Sequence, residues 1–96
     1  MTLKELVGDK RTRIIDAAAR HGASNIRVFG SFCRGDASET SDVDFLVDFE
    51  PDISLLDHAG LIVALEDLLG RPVDVVPSAT LRPHLRRKVL KEAVPL

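Results

Sequence analysis

The sequence predicts one α/β domain built on a small mixed sheet flanked by helices. Three observations carry this: short β-branched runs alternate with helical-period segments, two segments open with helix-capping residues, and 96 residues suffice for a single core with little to spare. An apolar content of 45% is ordinary for such a fold. No repeat, low-complexity tract or linker divides the chain, so residues 1–96 are read as a single domain.

Taken in order, Thr2 with Glu5 forms a capping-box pattern that opens a helix carrying Leu3, Leu6, Val7, Ile14, Ile15 and Ala18 and ending near His21-Gly22, with Gly8-Asp9 as a candidate break. Ile26-Arg27-Val28-Phe29 follows as a short buried strand that stops at Gly30. A short helical turn then runs through Phe32 to Gly35, followed by a polar loop, Asp36 to Ser41. In the second strand, Asp42 to Phe49, Val43, Phe45, Val47 and Phe49 alternate with Asp42, Asp44, Leu46 and Asp48. Ser54 with Asp57 caps a long helix in which Leu55, Ala59, Ile62, Leu65 and Leu69 recur at helical spacing, with Gly70 and Pro72 marking its end. Pro72 to Pro77 is a third strand with Asp74 inside it, and a last helix carries Leu81, Leu85 and Val89.

The chemistry concentrates at the first two strands. Gly30 tolerates positive φ and lets the backbone approach a bound group closely, and Ser31 adds a hydroxyl at the start of the helical turn, an arrangement that suits a phosphate. Asp42 and Asp44, two apart on a strand, share a face with Cβ atoms roughly 7 Å apart. Carboxylates so placed can converge on one divalent ion or bridge two, as in in-line displacement at phosphorus. Alone, each piece has an ordinary reading: a solvated edge-strand face for the acids, a common loop pair for Gly30-Ser31. Their order, with Arg34 between them, favours the chemical reading. Asp74 is a third acid, placed to join the other two around metal or to accept the proton of an attacking hydroxyl if its strand lies beside the second. Its ordinary alternative is an edge-strand acid paired with Arg71.

Gly30-Ser31, ten intervening residues, then Asp42-Val43-Asp44 resembles the signature of the DNA polymerase beta-like nucleotidyltransferase superfamily, and the brevity of the chain resembles its minimal nucleotidyltransferase group. The resemblance covers nearly the whole chain. It implies a minimal nucleotidyltransferase fold, with Gly30, Ser31 and Arg34 holding nucleotide phosphates and Asp42, Asp44 and Asp74 as catalytic, metal-binding acids. It further implies a pair of Mg²⁺ ions, ATP as substrate and transfer of AMP to a hydroxyl. In the minimal group that hydroxyl is a tyrosine of a HEPN-type ribonuclease toxin, so that the chain is an antitoxin in a hetero-oligomeric toxin–antitoxin module. The chain has no tyrosine, so such an acceptor must lie on another chain. Two alternatives stand beside this: an antitoxin that neutralises its partner by binding alone, and a small-molecule nucleotidyltransferase of the antibiotic-modifying kind.

Charge narrows the partners. The net charge is only -2, yet Gly35 through Gly70 holds ten Asp or Glu and no Lys or Arg. Such a surface repels a nucleic-acid backbone, and with four Phe and no Trp or Tyr there is no stacking platform for single strands, so no direct nucleic-acid binding is expected. Arg82, Arg86, Arg87, Lys88 and Lys91 read as the solvated face of the last helix, with contact to phosphate or to an acidic partner as the other possibilities. The lone Cys33 excludes an internal disulfide and reads as packing. His21, His58 and His84 lack metal-ligand spacing. The N-terminus is charged at once and the longest apolar run, Leu61 to Leu65, is too short to span a bilayer, so a cytoplasmic protein without membrane contact is expected.

Overall fold

The computed structural model describes residues 2–38 and 40–96; Glu39, one of the ten acids counted above, lies outside them. Helix α1 (Leu3–Val7) opens on the expected capping box: the Thr2 hydroxyl accepts the Glu5 N–H at 3.1 Å and the Glu5 carboxylate accepts the Thr2 N–H at 3.3 Å. The first helix is two helices. Gly8, at φ +50° and ψ -122°, leaves the helical region and its N–H closes α1 on the Lys4 carbonyl, after which α2 (Arg11–Arg20) restarts. Leu6, Val7, Ile14 and Ala18 from both pieces are buried, whereas Ile15 lies on the outer side.

Strand β1 (Ala23–Phe29) begins three residues earlier than the apolar run Ile26–Phe29 indicates. Its polar start is a bulge between Ser24 and Arg27, in which Asn25 takes φ +50°. Helix α3 (Ser31–Arg34) leads through the loop to β2 (Val43–Phe49), so Asp42 stands immediately before the strand instead of inside it. Helix α4 (Leu55–Leu69) carries the second capping box, formed by Ser54 and Asp57, and ends at Gly70. Strand β3 (Val73–Pro77), a 3-10 turn (Ser78–Thr80), α5 (Pro83–Glu92) and a two-residue strand β4 (Val94–Pro95) complete the chain. Nothing in the C-terminal sequence marked β4, which is held by pairing with β1.

The sheet is mixed, in the order β3-β2-β1-β4. β1 pairs antiparallel with β2 and β4, while β2 and β3 are parallel, the geometry that the α4 crossover between them permits. Helix α2 packs on β1 and α4, and α4 packs on β3. Between these helices and the sheet lie Ile14, Ala18, Val28, Val43, Phe45, Val47, Leu61, Leu65 and Val75, the centre of the core. The alternation in β2 places Val43, Phe45 and Val47 in that core, but Leu46 on the opposite face is also fully buried, so that face is not merely solvated. Helix α5 runs from the β3 edge to the β4 edge and contributes no buried residue; Leu81 lies before the helix, at the end of the 3-10 turn, and Leu85 is 43% exposed, so the Leu81-Leu85-Val89 stripe is not a core seam. No helix among the described residues is long and apolar enough to cross a membrane.

Candidate active site

Phe29, the last residue of β1, lies opposite Asp44 of β2, so the turn that follows it falls at the end of the sheet where β2 begins. At that turn Gly30 adopts φ +79° and ψ -147°, a conformation costly for a side-chain-bearing residue. A Cβ at Gly30 would also collide with the Asp44 carboxylate. The glycine is therefore required twice, by the backbone and by the acid beside it. Among the described residues the Ser31 hydroxyl and N–H have no protein partner, so both remain available to a ligand.

The parallel register sets Asp44 directly opposite Asp74. Adjacent strands lie about 4.8 Å apart and residues level with each other in a parallel pair share a face, so Asp74 joins Asp44 while Asp42 precedes it by two residues on the same side. Asp44 is half-buried, and Asp42 and Asp74 are exposed. Burial, then the neighbouring Asp74 and Asp42 carboxylates, push the Asp44 carboxyl above the usual carboxylate range, with Arg34 pulling in the opposite direction. Among the described residues the side chains do not already converge as a three-ligand set. Still, an all-carboxylate group with a crowded, under-neutralised member at its centre is the donor chemistry of a hard divalent cation such as Mg²⁺, so the residues fit that ion. The edge position of β3 means that Asp74 is not a buried-strand charge, and its exposure leaves it accessible to an acceptor.

The supporting side chains are specific. Arg34 donates through Nη1 to Glu92 at 3.1 Å and through Nε to Asp36 at 3.5 Å. Arg71 donates to the Ser38 and Ser41 carbonyls at 3.3 and 3.2 Å and lies 5.2 Å from the Phe32 ring centroid, bracing the loop that delivers Asp42. Phe32 is core packing. The Cys33 thiol donates to the Val28 carbonyl at 2.7 Å and burial is the main cause of its raised pKa, so it is a thiol and not a nucleophile. His58 bonds the Val75 carbonyl through Nε2 at 2.8 Å and packs against Phe49, a structural role.

The structure thus brings Gly30, Ser31, Arg34, Asp42, Asp44 and Asp74 to one end of the sheet. Sequence reasoning missed Glu92, whose carboxylate accepts the Gly30 N–H at 3.1 Å as well as the Arg34 bond. Its only signal was an acid in the last turn of a basic helix. Asp48, on the same face but at the far end of β2, accepts from Asn25 at 2.9 Å, from Arg27 at 3.1 Å and from the Ser78 hydroxyl in a short hydrogen bond, and belongs to the scaffold.

Residues 12–96 match the nucleotidyltransferase domain family. The chain is 43% identical to the protein adenylyltransferase MntA of Thermococcus cleftensis, over 98% of this chain and 95% of that one. It is 39% identical to a Methanocaldococcus jannaschii protein that also carries the name protein adenylyltransferase, over 92% of this chain and 95% of that protein. Among solved structures, one described as a minimal nucleotidyltransferase shares 52% identity, superposes with a TM-score of 0.88 and is covered to 97%, with this chain covered to 100%. A chain of a toxin–antitoxin complex with AMP-PNP superposes with a TM-score of 0.74 over 88% of this chain and 70% of its own, and at 22% identity it speaks for the fold alone.

Proposed function

The chain belongs to the nucleotidyltransferase domain family, in its minimal form, and from that premise we propose that it transfers AMP from ATP to a tyrosine hydroxyl of a HEPN-type toxin, thereby acting as an antitoxin. The observation that supports the reading is the register of Asp44 against Asp74 at the sheet end where the Gly30-Ser31 turn and Asp42 also lie. The names of the adenylyltransferase relatives support the choice of AMP and of a protein acceptor.

In this reading Ser31 and Arg34 hold the triphosphate through its oxygens, and Gly30 keeps the space beside Asp44 open. Asp42, Asp44 and Asp74 would hold Mg²⁺, which when bound would supply Lewis-acid polarisation of the α-phosphate and neutralise charge on the leaving group. Asp74, exposed on the edge strand, also accepts the proton of the incoming hydroxyl. The acceptor oxygen bonds to the α-phosphorus, the bond from that phosphorus to the α,β-bridging oxygen breaks, and pyrophosphate leaves. With no tyrosine in this chain, the modified residue lies on the partner.

The test is incubation of the purified chain with Mg²⁺, each nucleoside triphosphate and the product of the neighbouring gene, followed by mass spectrometry of that product. A gain of one or more AMP units, with ATP preferred, is expected; no gain with any nucleotide overturns the transfer. The exposed Leu55 and Leu56, 85% and 83% accessible, offer a surface for a partner, and binding alone is the second reading. Replacing Asp42 and Asp44 by Ala separates the two, since neutralisation of the partner survives that change only if binding suffices.

A further inference from the structure

We propose that Glu92 is a positioning residue for nucleotide binding, acting from the C-terminal helix on the turn and the arginine that meet the phosphates. The inference rests on the nucleotidyltransferase reading above. A single oxygen, Oε1, accepts both the Gly30 N–H and the Arg34 Nη1–H, each at 3.1 Å, from a position 62 residues away in sequence. Both bonds are charge-assisted, the stronger class of hydrogen bond, and one fixes backbone while the other fixes a guanidinium. By taking the Gly30 N–H, Glu92 holds the turn in the conformation that faces Asp44, and it leaves the Ser31 hydroxyl and N–H for a ligand.

The second bond decides where Arg34 rests. Its other partner is Asp36, at 3.5 Å. Without Glu92 the guanidinium falls to Asp36 and leaves the turn. Glu92 keeps Arg34 beside the turn. Helix α5, which buries nothing and so adds little to the core, has in this contact a role at the site.

The test is calorimetric titration of the folded chain with α,β-methylene-ATP in the presence of Mg²⁺, for the wild type, Glu92→Ala, Glu92→Gln, Arg34→Ala and the Glu92→Ala/Arg34→Ala double variant. Loss of Glu92 is expected to weaken binding about tenfold, the size expected for a charge-assisted bond, and Glu92→Gln only about threefold, because its amide oxygen still accepts the Gly30 N–H. The double variant should lose less than the sum of the singles, since part of the Glu92 effect passes through Arg34. A lower Tm with unchanged affinity in either Glu92 variant reduces Glu92 to an anchor for α5 and overturns the inference. Tighter binding does so as well, because it would mean that the carboxylate competes with phosphate. If Glu92→Ala does not fold, the Gln variant decides by the same criterion. A wild type that binds no nucleotide sinks the transferase reading itself, a result distinct from a wild type that binds and a Glu92→Ala variant that binds equally well.

Discussion

Asp44 and Asp48 sit four residues apart on one face of β2, and their surroundings drive the two carboxyls in opposite directions. Burial and the two neighbouring acids raise Asp44, so the folded state favours its neutral form: its contribution is present below the ordinary carboxylate range and is lost as pH rises through the folded value. At neutral pH the charged Asp44 costs stability, and Asp44→Asn should raise the Tm by a few degrees while abolishing AMP transfer. Thermal melts at pH 7 check this, and a Tm that falls would contradict the electrostatic account of the acid cluster. Added Mg²⁺ should stabilise the wild type and leave Asp44→Asn nearly unmoved. Asp48 is the reverse. The Ser78 hydroxyl, with Asn25 and Arg27, lowers its pKa, so its contribution is present above the ordinary carboxylate value and lost as pH falls through the lower folded one. Its side chain is 39% exposed, so solvent screening holds the expected cost of Asp48→Asn to about 1 kcal/mol, or roughly 4–8 °C in Tm at pH 7, with a flatter acid limb of unfolding. Gly30→Ala should remove nucleotide binding, since it combines a strained φ of +79° with intrusion on Asp44; a variant that binds Mg²⁺ and ATP as before would show that the turn relaxes.

Helix α4 is the element on which the site depends at a distance, because it carries the chain from β2 to its parallel neighbour β3 and so makes the pairing of Asp44 with Asp74 possible. Ser54 caps it by accepting the Asp57 N–H at 3.3 Å, and Ser54→Ala should cost about 1 kcal/mol in urea unfolding with no change in the unfolding slope. Helix α5 makes the opposite case. Arg86 and Arg87 are exposed on a helix without a buried residue, so reversing both to Glu should leave the stability of the isolated chain within about 0.5 kcal/mol. If the basic face meets an acidic partner, the same double variant weakens the complex, which analytical ultracentrifugation of the mixture would detect. The period of Leu85 and Val89 correctly signalled a helix, though Leu81 falls before it, and a period reports amphipathicity and not what covers the apolar side. The polar residues Ser24 and Asn25 hid the start of β1 for a related reason: a bulge suspends the alternation by which a strand is recognised.

At the scale of the molecule, one sheet end collects a turn from β1, two acids at the start of β2, one from β3 and a carboxylate from α5. Since the chain lacks tyrosine, incubation with Mg²⁺ and ATP alone should give no tyrosine-directed modification, and added mass should appear on the partner only once the partner is included. Most of this assembly was legible along the chain because its parts are local. Gly30-Ser31 and Asp42-Val43-Asp44 are joined by one loop, and both capping boxes act within four residues, so spacing alone specifies them. The assignment of Asp74 to the same face was conditional on strand order, which a sequence read one segment at a time does not contain; pairing between β2 and β3 supplied it. Glu92 lay further out of reach. Its two bonds join groups 62 and 58 residues apart, and nothing in the composition of a basic helix marks its one acid as the partner of a glycine amide. The sequence by itself determined the principal helices and strands, the break at Gly8, the Gly30-Ser31 turn and the paired acids, because short-range sterics, capping and periodicity act between near neighbours. Only the tertiary structure decided the pairing of β4, the exposure of α5, the alignment of Asp74 and the place of Glu92, because these depend on which distant surfaces meet.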